Sequence, residues 1–205
     1  MDLLDSLRKH DLERLAALLE AGADPNVEDR DPPNFRPLHI AIDELEEGGS
    51  VEALVLLLCS GAEVDAWDGG KSATPLLMAV FRRQHVAVML LLAAGADPNV
   101  VGAEGDSPLR WCVEQRDHAL AATLLRCGAK RSIDFAGGPS GMTALGRAAW
   151  LLDLPMVELL LNAGAGRLAL DADQRTALDR LPPDPEEPEA RKARAAILAR
   201  LSARK

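Results

Sequence analysis

Four histidines, three cysteines, one Gly-Lys-Ser stretch and paired carboxylates such as Glu46-Glu47 are the residues of this 205-residue chain whose types could do chemistry. His10, His39, His85 and His118 do not pair at the close spacing of zinc-ligating histidines. Cys59, Cys112 and Cys127 are odd in number and have no CxxC spacing, so neither a disulfide framework nor a zinc site is implied. Cys112 falls at a small-residue position expected to be buried, and all three thiols are expected to be inert. Gly69-Gly70-Lys71-Ser72 ends like a phosphate-binding loop, but the upstream glycine and the strand before it are missing; a hairpin tip is the simpler reading. Glu46-Glu47 lie in a glycine-flanked insertion where nothing would raise a carboxyl pKa. No catalytic, metal or cofactor site is expected, and the function to look for is binding.

The chain is built for a core of small and medium apolar residues. Leu (35) and Ala (34) make up a third of it, whereas Trp and Phe number three each and Tyr is absent. A hydrophobic content of 48% with 27% charge is ordinary for a soluble globular chain. The net charge of −9 argues against nucleic acid as the main partner, because phosphate binding needs a basic field. Most of the acid is local. Asp24 to Asp65 holds 11 Asp/Glu against Arg30 and Arg36, while Glu186 to Lys205 holds 3 acids and 6 bases. The first residues lack a basic segment followed by an apolar stretch, and the longest apolar run, Ala53 to Cys59, is too short to span a bilayer. The expectation is a cytoplasmic protein with no membrane partner. Arg outnumbers Lys 18 to 5, which together with the abundant Ala hints at a bacterial source.

Two phrases recur in fixed phase. The first is Leu-Leu-x-x-Gly-Ala, at Leu18 to Ala23, Leu57 to Ala62, Leu91 to Ala96, Leu124 to Ala129 and Leu160 to Ala165. The second begins at Arg36-Pro37-Leu38-His39, Thr74-Pro75-Leu76, Ser107-Pro108-Leu109, Thr143-Ala144-Leu145 and Thr176-Ala177-Leu178. Thr or Ser before Pro is an N-cap followed by the first helical residue, where the missing proline N–H costs nothing. The Leu-Leu phrase is the apolar stripe of a second helix, and its glycine supplies a left-handed C-cap. Asp97-Pro98-Asn99 and its counterparts then leave as an extended, turn-forming loop.

These phrases resemble the ankyrin repeat, whose T-P-L-H-x-A signature and 33-residue period are approached by Arg36 to Ala41 and Thr74 to Ala79. Gly22-Ala23-Asp24-Pro25-Asn26 and Gly95-Ala96-Asp97-Pro98-Asn99 resemble a second family phrase. The resemblance covers nearly the whole chain and implies an all-α repeat solenoid. About six ankyrin-type helix-turn-helix units would stack through short β-hairpin-like loops, monomeric when alone, as a single domain over 1–205. Residues 1–26 would form an N-terminal capping repeat, 27–181 the central repeats and the start of the last unit, and 182–205 a proline-rich loop and a basic C-terminal capping helix. His39 would be the structural hydrogen-bonding residue of its phrase. The second unit carries four extra residues around Glu44 to Gly49, and Pro182 to Pro188 breaks the last unit. Terminal units of solenoids are expected to be atypical.

The family docks partners on the concave side, formed by hairpin tips and first helices. In this register Trp111, four residues after Ser107, reads as core. Phe35, Trp67, Phe81 and Trp150 read as a concave aromatic patch, rimmed by Asp43, Glu44, Lys71, Arg82, Glu104, Asp106, Glu114 and Gln115. Phe135 falls in a lengthened loop. The reading is a non-enzymatic protein-interaction module, an adaptor, regulator or inhibitor of a basic protein. A secreted bacterial effector that mimics host ankyrin proteins is the alternative, and an enzyme the remote one.

Overall fold

Helices start where the sequence supplies their caps. In the computed structural model, which describes residues 2–203, Thr74 Oγ1 accepts the Leu77 N–H (3.4 Å), Ser107 Oγ that of Arg110 (3.3 Å) and Thr143 Oγ1 that of Gly146 (3.0 Å). Met1, Arg204 and Lys205 lie outside the described residues, and with them the last two bases counted in the tail. The first helices of successive units are α1 (Leu3–Arg8), α3 (Pro37–Glu44), α5 (Pro75–Phe81), α7 (Pro108–Glu114) and α9 (Ala144–Trp150). The second helices are α2 (Leu12–Glu20), α4 (Val51–Cys59), α6 (His85–Ala93), α8 (His118–Arg126) and α10 (Leu154–Ala163), and α11 (Pro188–Ser202) closes the chain.

Four of the five helix pairs are joined by a tight turn whose middle residue is left-handed although it is not glycine: His10, Arg83, Arg116 and Leu152 all have φ near +55°, whereas the longer α3–α4 connection turns at Gly48 (φ +95°). The turn is held because the following N–H reaches back five residues, as from Asp117 to the Cys112 carbonyl and from Gln84 to that of Ala79, both 2.8 Å. Second helices end as their glycines predict, with Gly22, Gly61, Gly95, Gly128 and Gly164 all at φ between +87° and +105°. Among the described residues no strand forms, and each hairpin-like loop closes on a single backbone bond, such as Asp68 N–H to the Ala73 carbonyl (3.0 Å).

The helices gather into two compact units, Met1–Asp97 and Pro98–Lys205. In the first, α1, α3 and α5 form one layer and α2, α4 and α6 the other. In the second, α7 packs on α9, α8 on α10, and α11 on α10. First helices are buried nearly all round, whereas second helices bury one stripe: Ala53, Leu54 and Leu57 in α4, Ala87, Val88 and Leu91 in α6. That one-third stripe is the ordinary core face of an amphipathic helix. Each fully buried Leu contributes about 1.5–3 kcal/mol. Side chains repeat one period apart as well. Asn26 donates to the Gly61 carbonyl (3.2 Å) and accepts the Glu63 N–H (2.7 Å), and Asn99 does the same with Gly128 (3.1 Å) and Ser132 (3.1 Å).

The last repeat departs from its phrase. Thr176 to Arg180 makes only one turn, locked by Thr176 Oγ1 donating to Asp179 (2.7 Å), before Pro182-Pro183 stops it. In place of a helical core the turn carries a buried ion pair, Arg180 with Asp171.

Candidate functional site

A first helix of this fold spends most of its surface on packing. In α7, Leu109, Cys112 and Val113 are at most 1% exposed and fill the inward side. Positions four and seven after the cap share the remaining side, because residues three apart lie one above the other. Those positions hold Met78 and Phe81 in α5, Trp111 and Glu114 in α7, and Arg147 and Trp150 in α9. Trp111 is therefore not core, as the register count had it. It is half-buried, on the face of Glu114, while Leu109, Cys112 and Val113 do the packing. Among the described residues none of the six aromatic side chains is buried, and Trp150 (47%) and Phe135 (43%) are exposed.

In the first unit the face has two adjoining depressions that share Asp68 as a wall. One is lined by Phe35, Ala73, Met78, Phe81 and Arg82. The Phe35 ring lies flat on the His39 imidazole, centroids 5.7 Å apart and planes 10° off parallel. His39 is fully buried, and its Nε2 donates to the Ala73 carbonyl (3.2 Å), the structural role expected of it. Burial pushes its pKa below the ordinary histidine value, the neighbouring Arg36 adding to this against the opposing effects of that hydrogen bond and of Asp68. Arg82 reaches both Asp43 and Glu46 on the neighbouring repeat.

The other depression is a cleft between hairpin tips, bounded by Glu28, Arg36, Glu63, Asp65, Trp67 and Lys71. Arg36 bonds Glu28 (2.7 Å) and lies 3.8 Å from Glu63. Gly69 to Ser72 form the tip itself: Asp68 accepts the N–H groups of Ser72 (2.7 Å) and Ala73 (3.3 Å), and the Gly69 N–H donates to the Asn34 carbonyl (3.1 Å). Gly69 is required there, because a Cβ would stand 2.3 Å from that of Asn34.

In the second unit Glu114 receives two bonds from Arg147, at 2.6 and 2.7 Å, with Trp111 and Trp150 on the same helical faces. That bidentate bond holds the Glu114 carboxyl below the usual range, overcoming the opposing effect of partial burial. Glu104, on its hairpin tip, and Gln115, capping α7, are exposed and belong to neither arrangement.

Two expected rim charges are committed elsewhere. Asp106 is turned inward, 7% exposed, and accepts from the buried Arg110 Nε (3.2 Å), so it cannot rim a patch. Glu44 is half-buried and bonded to His10 Nε2 (2.9 Å). Sequence reasoning missed Met78, Glu28, Glu63 and Arg147. The signal for Arg147 was present, since it stands 33 residues, one repeat, after Glu114.

Burial drives the Cys112 thiol far above its ordinary pKa, so it is no nucleophile. Cys59 and Cys127 are exposed free thiols. Among the described residues no three His, Cys, Asp or Glu side chains are placed to hold a metal ion, and no helix is long and apolar enough to cross a membrane.

A family model for ankyrin repeats matches residues 38–135 and 76–173. The chain is 35% identical over 104 residues to the palmitoyltransferase Hip14 of Drosophila melanogaster, a match that takes in 51% of this chain and only 15% of that protein. Among solved structures, the ankyrin repeat domain of Bcl-3, a member of the IkappaB family, superposes with a TM-score of 0.77 at 26% identity, covering 93% of this chain and 80% of that one. A complex of the predatory endopeptidase Bd0816 from Bdellovibrio bacteriovorus with immunity protein Bd3460 contains a chain matched at TM-score 0.71 and 23% identity, over 99% of this chain and 97% of the other. This last likeness is one of fold.

Proposed function

The chain belongs to the ankyrin-repeat family, and on that premise we propose that it captures a basic partner protein on its hairpin and first-helix face. Ankyrin repeats generally serve as protein-interaction modules without catalysis of their own. One observation carries the reading to this face: the aromatic side chains lie at surface positions of hairpins and first helices, while Leu and Ala fill the core. Trp and other aromatics anchor protein interfaces, and a face preformed within a packed unit loses little ordering entropy on docking. The acids around Phe35, Trp67 and Phe81 favour a basic partner, and covering that partner's surface is how such a module would regulate or inhibit it. The exposed thiols of Cys59 and Cys127 fit a reducing compartment such as the cytoplasm.

The experiment is capture from native host lysate by the wild-type chain, by Phe81→Ala with Trp150→Ala, and by Val86→Ala on the outer side of α6. Loss of the same partner from the double variant, with retention by Val86→Ala, is expected. Retention by both would overturn the reading.

A further inference from the structure

The two depressions of the first unit differ in chemistry while sharing one wall, and together they describe what would fill them. The cleft beside Trp67 is lined by four acids, Glu28, Glu63, Asp65 and Asp68, against Arg36 and Lys71. Its half-exposed indole offers a face on which a cation gains electrostatically. Arg36 shows that a guanidinium fits this surface, bonded to Glu28 and close to Glu63, and both of these carboxylates remain more than half exposed. The neighbouring depression, across Asp68, is walled by Phe35, Ala73, Met78 and Phe81 and suits an apolar side chain. A metal ion does not fit, because among the described residues no acids converge closely enough to ligate one.

Resting on the reading of this face as a protein-binding surface, we propose that the pair of depressions is a two-part subsite for a basic peptide segment. An Arg or Lys side chain lies across Trp67 among Glu28, Glu63 and Asp65, and an apolar side chain of the same segment enters the Phe35–Met78–Phe81 depression. Charge complementarity selects the cation, and the apolar depression selects a peptide over a small polycation, which would leave it empty.

The test uses the full chain labelled with 15N, whose three tryptophans give three indole N–H resonances. Trp67→Phe assigns the Trp67 signal. The probes are capped peptides with one Arg and one Leu separated by one, two or three alanines, the same peptides with citrulline for Arg or Ser for Leu, and spermidine. The expected result is a saturable shift of the Trp67 signal with at least one Arg–Leu spacing, and no shift of Trp150. Affinity should fall about tenfold with citrulline and with Ser. Glu63→Gln, which changes an exposed side chain and spares the fold, should weaken binding about threefold. Equal binding of the citrulline peptides, spermidine binding as tightly as the best peptide, or no saturable Trp67 shift at millimolar peptide would each overturn the proposal. The two readings fail separately: if lysate capture depends on Trp150 and not on Trp67, the face binds protein but this subsite is wrong, whereas capture that survives Phe81→Ala with Trp150→Ala overturns the broader reading.

Discussion

The two units solve the same packing problem and differ in electrostatics, the first acidic and the second nearly neutral. Residues 1–97 carry 18 acids against 8 bases, residues 98–205 carry 14 against 15. The contrast holds at the face itself. In the first unit Arg82 faces two acids, Asp43 and Glu46, and Arg36 lies between Glu28 and Glu63, so negative charge is left over. In the second unit Glu114 and Arg147 close on each other in a bidentate pair and leave none. Leftover charge on a rigid surface steers an oppositely charged partner, whereas a closed pair beside two indoles offers area without steering. On the proposed reading the first unit would supply attraction and selectivity, and the second a neutral aromatic surface.

If the units differ only at their faces, their cores must respond alike. Leu76→Ala and Leu145→Ala, both fully buried in first helices, should each destabilise by about 3 kcal/mol. Thermal melts showing one of them tolerated would mean that one unit is loosely packed, and the comparison would rest on packing instead of charge. The faces should then separate within the second unit. Trp111→Ala, half-buried, should cost about 2 kcal/mol, and Trp150→Ala within about 1 kcal/mol. Equal losses in melting temperature would make Trp150 a packing residue and remove it from the binding surface. The charge difference is tested by association rates with a basic partner. Glu63→Lys should slow association about fivefold at low salt, with the deficit shrinking above about 0.1 M as screening shortens to about 10 Å. Glu104→Lys, also at an exposed position but in the second unit, should change little; similar slowing by both would show that only net charge matters.

The sequence read well where local chemistry decides structure. Caps at Thr74, Ser107 and Thr143, the left-handed glycines, the five helix pairs and the C-terminal helix, expected from about Glu189 and found from Pro188, all follow from backbone rules that act over a few residues. It read less well where the outcome depends on a neighbour one repeat away. Counting position four after the cap as packing puts Trp111 inward, but it shares its side of the helix with Glu114, which Arg147 binds, and is only half-buried. Asp106 looked like a surface acid until Arg110, standing where a related repeat carries His39, drew it inside. Thr176 begins a fifth cap phrase, yet the proline run six residues on allows only one turn. The cleft at Trp67 is invisible in the sequence, since Glu28 comes from one hairpin loop and Glu63 and Trp67 from the next.

The smallest expected effect concerns His39, the one histidine buried out of water, in the first unit. Desolvation is the leading cause of its lowered pKa, and its Nδ1 is buried without a hydrogen-bond partner, which suits the neutral ring. A folded-state pKa below the unfolded value of 6.5 means that the unfolded chain binds the proton first as pH falls. Stability from this group is therefore fully present above pH 6.5 and declines on acidification through 6.5 towards the lower folded value. Between pH 7.5 and 5.5 the loss should be roughly 1 kcal/mol or less, set by one proton at most. Over this range the carboxylates held low by their partners, Glu114 among them, stay ionised in both states and do not obscure it. Replacing the ring with a neutral amide, His39→Gln, removes the titration while keeping a donor for the Ala73 carbonyl. Chemical denaturation of both chains at the two pH values measures the difference of differences. A variant with the same pH dependence as the wild type would show that acid sensitivity arises elsewhere, and that the flat Phe35–His39 stack is not a site of proton-linked strain in the first unit.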